Sequence, residues 1–277
     1  MRPAHAKVNL WLNVVGRRDD GYHLLDSLVA FVDLADRVEA RPDDRLSLDL
    51  DGPLAGALAG EADNLVLRAA RLLADRAGVA PRAAIRLTKH VPVAAGLGGG
   101  SADAAAVLRE LLDLWRVAMP EEELFDLAAR LGADVPMCLA GRAAFVSGIG
   151  ERLTWAPPLP PGAVLLVNPA VAMPTRDVFA ARHGAFSAER PVPRPWRDLA
   201  EFADVLAQRG NDLTAAAVSL APVVGQVLEA LGRNGARYAA MSGSGATCFA
   251  LYDSPELAQR AASVLPPAWW RHIGRFV

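Results

Sequence analysis

Lysine is almost missing from this chain. Of its 29 basic residues only Lys7 and Lys89 are lysines, and arginine supplies the rest. An ammonium is a compact point charge with three donors, whereas a guanidinium is a planar fork. The two lysines therefore read either as sites of lysine chemistry or as ordinary surface charges. Cysteine is nearly absent too. Cys138 and Cys248, each among apolar neighbours, give no disulfide framework and no zinc spacing, which suits a reducing cytoplasm. No apolar run reaches the length of a membrane span, and Lys7, Asn9 and Asn13 interrupt the segment where a secretory leader would be apolar. A cytoplasmic protein with no membrane partner is expected. A net charge of −2 lacks the basic excess of a nucleic-acid binder. There is no repeat period and no low-complexity tract. What remains is 277 residues, 52% hydrophobic and 22% charged, enough for one large core or two moderate ones.

The most informative stretch is Pro92–Ala106, PVAAGLGGGSADAAA, with glycine at 96, 98, 99 and 100. Glycine reaches backbone angles other residues avoid and lets a ligand approach the main chain. Leu108, Leu111, Leu112 and Trp115 follow at helical spacing, and a strand-like run, Ala84–Leu87, precedes the loop. Ser101 stands where an N-cap is expected, with Asp103 in the first turn. Strand, glycine loop and helix in that order make an anion site at a helix N-terminus, and phosphate is its usual occupant. Three readings compete. A dinucleotide site needs a third glycine where Ser101 stands. A purely structural loop rarely needs four glycines in five positions. A nucleoside-triphosphate loop outside the Walker class accounts for the absence of G-K-[ST], with Ser101 as a hydroxyl partner for phosphate or Mg²⁺. Gly16-Arg-Arg-Asp-Asp-Gly21 imitates the start of a P-loop, but Tyr22-His23 stands where Lys-Ser/Thr is required, so that motif is rejected.

Around the loop, strands are expected at 6–15, 28–35, 46–50 and 84–91, and helices at 64–77, 101–115 and 120–131. Strands follow at 142–147 and 151–155. Lys7, Asn9 and Trp11 share one face of the first strand. Gly132-Ala-Asp134-Val-Pro136 reads equally as an N-cap or as a functional carboxylate. The densest breaker run, Pro157-Pro-Leu-Pro-Pro161-Gly162, predicts a domain boundary, giving 1–157 and 158–277. Beyond it come a strand at 163–168, a short helix after Met173 and a proline-rich surface loop at 187–197. Helices follow at 199–209, 212–220 and 222–234. A strand at 237–241, a glycine turn at 242–245, a strand at 246–252 and a helix from 255 complete the assignment. The mixture predicts an α+β or α/β architecture. Nothing is assigned after Tyr252 beyond that helix, Trp269 and Trp270 included, and His5, His90, His183 and His272 receive no role.

PVAAGLGGGSADAA resembles the phosphate loop of the GHMP kinases. AKVNLWLNV is similar to that superfamily's N-terminal motif and MSGSGATCFALY to its C-terminal glycine motif. AKVNLWLNVVGRRDDGYH, LGADVPMCLAG and PTRDVF resemble, within the superfamily, the branch that phosphorylates a cytidine-diphosphate-linked methylerythritol on its 2-hydroxyl, in the non-mevalonate route to isoprenoid precursors. The D-G-Y-H step discriminates that branch from homoserine- and mevalonate-type kinases. The resemblance runs from about Ala6 to Tyr252. It implies an α+β fold of two domains, the first like ribosomal protein S5 domain 2 and carrying ATP, the second ferredoxin-like, with the active site in the cleft between them.

It also implies roles. Asp134 is the catalytic aspartate and Lys7 the catalytic lysine. Pro92, Val93, Ala94, Ala95, Gly96, Leu97, Gly98, Gly99, Gly100, Ser101 and Ala102 hold the ATP phosphates, and Asn64 and Lys89 border the nucleotide. Tyr22, His23 and Phe179 clasp the cytosine, with Asn9 and Thr175 nearby on the substrate; the competing reading of Tyr22 and Phe179 is core packing. ATP and Mg²⁺ are the implied cofactors. The glutamate by which several members hold Mg²⁺ has no counterpart here, since Asp134 is the only acid between Leu131 and Leu139. The metal's ligands are left to Asp134, Ser101, phosphate and water, and the chain gives no sign of whether it forms a homodimer. A non-catalytic nucleotide-binding domain is the remaining alternative, and the presence of both Lys7 and Asp134 argues against it.

Overall fold

The computed structural model describes residues 1–58, 64–192 and 195–277. Chain order runs β1 (Arg2–Arg17), β2 (His23–Arg41), β3 (Leu46–Asp51), α1 (Leu65–Ala77), β4 (Ala83–Thr88), α2 (Gly99–Trp115), α3 (Glu121–Leu131), α4 (Val135–Ala140), β5 (Ala144–Gly148) and β6 (Arg152–Trp155). It continues with β7 (Ala163–Asn168), α5 (Thr175–Ala180), α6 (Leu199–Arg209), α7 (Thr214–Leu220), α8 (Val223–Arg233), β8 (Tyr238–Met241), β9 (Cys248–Tyr252), α9 (Pro255–Ser263) and β10 (Trp270–Gly274).

These elements gather into two compact units that do not follow chain order. The first is Met1–Lys7, Leu34–Val93 and Gly98–Gly141; the second is Val8–Asp33, Ala94–Leu97 and Arg142–Val277. The breaker run at Pro157–Gly162, where the sequence is expected to divide, lies inside the second unit. It is held there by Trp196, whose Nε1 donates to the Pro158 carbonyl at 2.9 Å. The interleaving arises because β1 and β2 are long, 16 and 19 residues, and each contributes residues to both units.

In the first unit β3 runs parallel to β4, and β4 pairs antiparallel with Arg37–Arg41 of β2. The helices cover a core that includes Val38, Leu73, Ile85, Leu87, Leu108 and Leu127. α1 forms because its apolar residues recur on one face between two proper ends. Asn64 caps the start by accepting from the Val66 N–H, and Gly78 takes the left-handed conformation at the finish. α3 opens on Pro120 with three glutamates in its first turn, as the helix dipole favours. α2 begins earlier than expected. Its N-cap is Gly98, left-handed at φ 64°, so Ser101 is already inside the helix and does not cap it. Asp103 likewise falls beyond the first turn, and it is buried.

In the second unit β10, β7, β9 and β8 lie in that order, every pairing antiparallel. Together with the helices between β7 and β8 and α9 before β10, this is the β-α-β-β-α-β order of a ferredoxin-like domain. β7 is buried at every position because it is central, which is why it reads as one apolar run. β10 escaped the sequence reading. It is an edge strand without apolar alternation, and pairing of Trp270 with Asn168 fixes its register. The 187–197 segment is more tightly held than a free loop. Ser187 donates to Asp212 at 2.8 Å, Arg209 to the Pro191 carbonyl at 2.6 Å, and the Trp196 ring packs on Phe202; Pro193 lies outside the described residues.

Phe249 on β9 is completely buried in this sheet. Phe249→Ala is expected to cost about 3–5 kcal/mol, the usual figure for emptying an aromatic site in a core. Urea unfolding checks it, as a lowered midpoint at unchanged slope.

Candidate active site

In the first unit Lys7 lies on β1 with its ammonium 3.4 Å from Asp134 Oδ2. The lysine side chain is 8% exposed and the aspartate side chain 43%. Asp134 occupies the position before α4, as the cap reading requires, yet among the described residues its carboxylate accepts no capping hydrogen bond. A pair this exposed is worth about 0–1 kcal/mol, too little for stability to explain the burial of the lysine. The lysine stem packs under the glycine loop. A Cβ at Gly98 would lie 2.6 Å from Lys7 Cγ and 3.0 Å from Cε, so only glycine fits there. The first intrahelical bond runs from the Ala102 N–H to the Gly98 carbonyl. By helix geometry the N–H groups of Gly99, Gly100 and Ser101 have no carbonyl one turn behind them. An ion pair and a helix start therefore converge on one place. Cys138, on the next turn of α4, is held protonated: burial, then the Asp134 charge, push its thiol well above the ordinary range.

Asn64 and Lys89, expected to border the nucleotide, both have structural partners. Asn64 caps α1. Lys89 is 2% exposed, and its ammonium is shared between Asp36 of β2 and Asp103 of α2, with Asp103 Oδ2 at 2.7 Å. Asp36 Oδ1 also accepts from the backbone N–H groups of His90, at 2.5 Å, and Val91, at 2.8 Å. Burial lowers the Lys89 pKa, but the charges of Asp103 and Asp36 more than offset this and the net shift is upward. Burial pushes Asp103 up to about 8 against the pull of Lys89. Sequence reasoning missed Asp36 and the partnership of Asp103. The available signal was weak, since Asp36 is one of three aspartates on β2, with Asp26 and Asp33, and nothing local distinguishes it.

In the second unit the first half of the glycine loop is clasped by the turn Ser242–Gly245. Ser242 Oγ donates to the Gly96 carbonyl at 3.0 Å and accepts from the Asn9 N–H at 3.1 Å. The Thr247 N–H donates to the Ala95 carbonyl at 3.2 Å. A Cβ on Gly96 would lie 2.5 Å from the Ser242 carbonyl oxygen, so this glycine permits a close approach of two chains. Asn9 is buried and donates through Nδ2 to Ser27 at 2.9 Å. Thr175 opens α5, its hydroxyl 2.9 Å from that of Ser244. Phe179, four residues on, lies on the same face of that helix. The rings of Phe179 and His23 stack, centroids 4.9 Å apart at 25°. Tyr22 is 62% exposed. Burial, then the charges of Arg17 and Arg182, lower the His23 pKa, so its ring is neutral at pH 7. Trp11 stays out of this group: it is buried, donates to Asp26 at 3.0 Å and carries the Arg209 guanidinium over its ring. Among the described residues no cluster of His, Cys, Asp or Glu is placed to hold a metal.

Comparisons with known proteins identify the family. The GHMP kinases N terminal domain matches residues 64–142, and the GHMP kinases C terminal domain matches 188–272. The chain belongs to the GHMP kinases, a family of small-molecule kinases. Within them it is similar to the 4-diphosphocytidyl-2-C-methyl-D-erythritol kinase of Paramagnetospirillum magneticum, at 54% identity over 96% of this chain and 95% of that protein. The protein of the same name from Ruegeria pomeroyi is 52% identical, over 98% of this chain and 97% of its own. The crystal structure of a 4-(cytidine 5'-diphospho)-2C-methyl-D-erythritol kinase superposes with a TM-score of 0.82 at 38% identity, covering 99% of this chain and 98% of that one.

Proposed function

We propose that this kinase transfers the γ-phosphoryl group of ATP to the 2-hydroxyl of 4-diphosphocytidyl-2-C-methyl-D-erythritol, a step toward isoprenoid precursors. The observation that carries the reading is the Lys7–Asp134 pair at 3.4 Å, its lysine stem packed against Gly98 at the start of α2. Phosphoryl transfer requires positioning and charge stabilisation more than covalent help. The N–H groups of Gly99, Gly100 and Ser101 suit phosphate oxygens. Asp134 accepts the proton of the attacking hydroxyl, and the Lys7 ammonium stabilises charge on the alkoxide and the phosphoryl oxygens. Mg²⁺, if bound with ATP, would neutralise charge on the phosphates. Asp134 or Ser101 would supply its protein ligand, which suits an ion that keeps several waters.

The second unit serves the substrate. Asn9 stands two residues beyond Lys7 on β1 and so projects from the same face of the strand. His23 and Phe179 offer aromatic surface and a hydrogen-bonding ring edge to cytosine, and Tyr22 covers the pyrimidine. The domains of this reading are 1–157, carrying ATP, and 158–277. A location in the cytoplasm is part of this reading; among the described residues no helix is long and apolar enough to cross a membrane.

The test is ATP consumption with the cytidyl substrate beside its cytidine-free analogue. The cytidyl compound is expected to be strongly preferred, and Phe179→Ala to raise its KM about 5- to 150-fold, the equivalent of the ~1–3 kcal/mol of one base–aromatic stack. Equal rates on both compounds would remove the role given to Tyr22, His23 and Phe179. A homoserine- or mevalonate-type activity would show in the same panel as turnover of those alcohols.

A further inference from the structure

Lys89, Asp36 and Asp103 form a buried group with no part in the reaction above. Its three side chains come from β2, α2 and the position just after β4, and each is 2% exposed or less. Asp36 fixes the backbone at His90 and Val91, the residues immediately before Pro92, where the glycine loop starts. Asp103 lies one turn inside α2, the helix into which the loop runs. The Lys89 ammonium joins the two carboxylates. It also lies directly beneath the helix start: a Cβ on Gly99 would be 3.5 Å from Lys89 Nζ and 3.2 Å from Val91 Cγ1. One cation thus ties the segment leading into the loop to the helix leading out of it.

We propose that Lys89, Asp36 and Asp103 are positioning residues, which pin both ends of the glycine loop so that its amides face a triphosphate without first having to be ordered. The physical reason is entropy. Each backbone residue that must be ordered on binding costs conformational entropy, and a loop ordered beforehand keeps that free energy for the ligand. A buried ammonium suits this task. Its donors are rotatable and its charge is compact, so it can meet two carboxylates from different directions. Lys89 then acts on the nucleotide through the loop and not by touching it. The role of the loop toward ATP rests on the reading given under Proposed function; the pinning does not.

Two measurements on the intact protein separate these. The first is amide hydrogen exchange without nucleotide, comparing wild type with Asp103→Ala and Asp103→Asn. The alanine variant is expected to exchange at least about tenfold faster across Val91–Ala102, with protection in β7 and β9 unchanged. The asparagine variant keeps an oxygen that accepts from Lys89 and is expected to stay close to wild type. Asp103→Ser, too short to reach the ammonium, replaces the alanine variant if that does not fold. Faster exchange throughout the chain, or none in the loop, would overturn the proposal.

The second measurement is steady-state kinetics. Asp103→Ala is expected to raise KM for ATP about tenfold or more, with kcat and the KM for the cytidyl substrate within about threefold of wild type. Equal rises in both KM values would count against pinning. If the wild type failed to bind ATP at all, the functional reading would fall, while the exchange result would still decide whether the loop is pinned.

Discussion

Asp134→Asn is expected to lower kcat by about 10²–10⁴-fold, the usual reach of a positioned acid–base group. The asparagine keeps the shape and loses the ability to take the hydroxyl proton, so the loss falls on kcat and leaves the KM for ATP close to wild type. Stability is expected to change little. The Asp134 side chain is 43% exposed and its pair with Lys7 is correspondingly screened, so at most about 1 kcal/mol is involved. Steady-state kinetics beside a thermal melt give both numbers. Near-normal turnover would remove Asp134 as the base and leave the reaction to positioning and charge alone.

Lys7→Arg keeps the charge and is nevertheless expected to cost about 10²–10³ in kcat, the scale of losing one donor aimed at developing negative charge. The reason is steric as much as electronic. The lysine stem lies where a Cβ at Gly98 would be only 2.6 Å from its Cγ, so the channel is shaped to an unbranched chain. A guanidinium is longer, planar and unable to bring a point charge to the same place. Kinetics on the folded variant decide it, and normal turnover would show that any cation at position 7 serves.

Much of this site was legible in the sequence because its residues break local patterns. Lys7 and Asn9 interrupt an apolar strand, and the glycines interrupt a strand-to-helix step. Asp134 was ambiguous for a sound reason: it does occupy the position before a helix, and only its approach to Lys7, with no capping bond of its own, sets it apart from an ordinary cap. Ser101 misled because hydroxyl residues usually cap, whereas here Gly98 turns left-handed and starts the helix three residues earlier. Asp36 and β10 were not legible. A buried charge announces itself only through its partners, which come from distant parts of the chain. An edge strand without alternation has no period to read. The interleaved units were equally hidden, since no local pattern marks where β1 and β2 pass from one unit to the other.

That interleaving bears on how the protein is made. The Val14 N–H donates to Asp212, 198 residues later, and Leu12 pairs with the Gly210 carbonyl. At about 5–20 residues per second of synthesis, the partners of β1 emerge roughly 10–40 s after β1 itself. During that interval Leu12 and Val14, buried in the core of the second unit in the finished fold, lack the part of their cover that lies beyond residue 200. A strand that must wait for residues beyond 200 makes this a chain of long-range closure, slow to fold and exposed to misassociation on the ribosome. The strand that brings Lys7 to its aspartate is thus also one that completes its packing only late in synthesis.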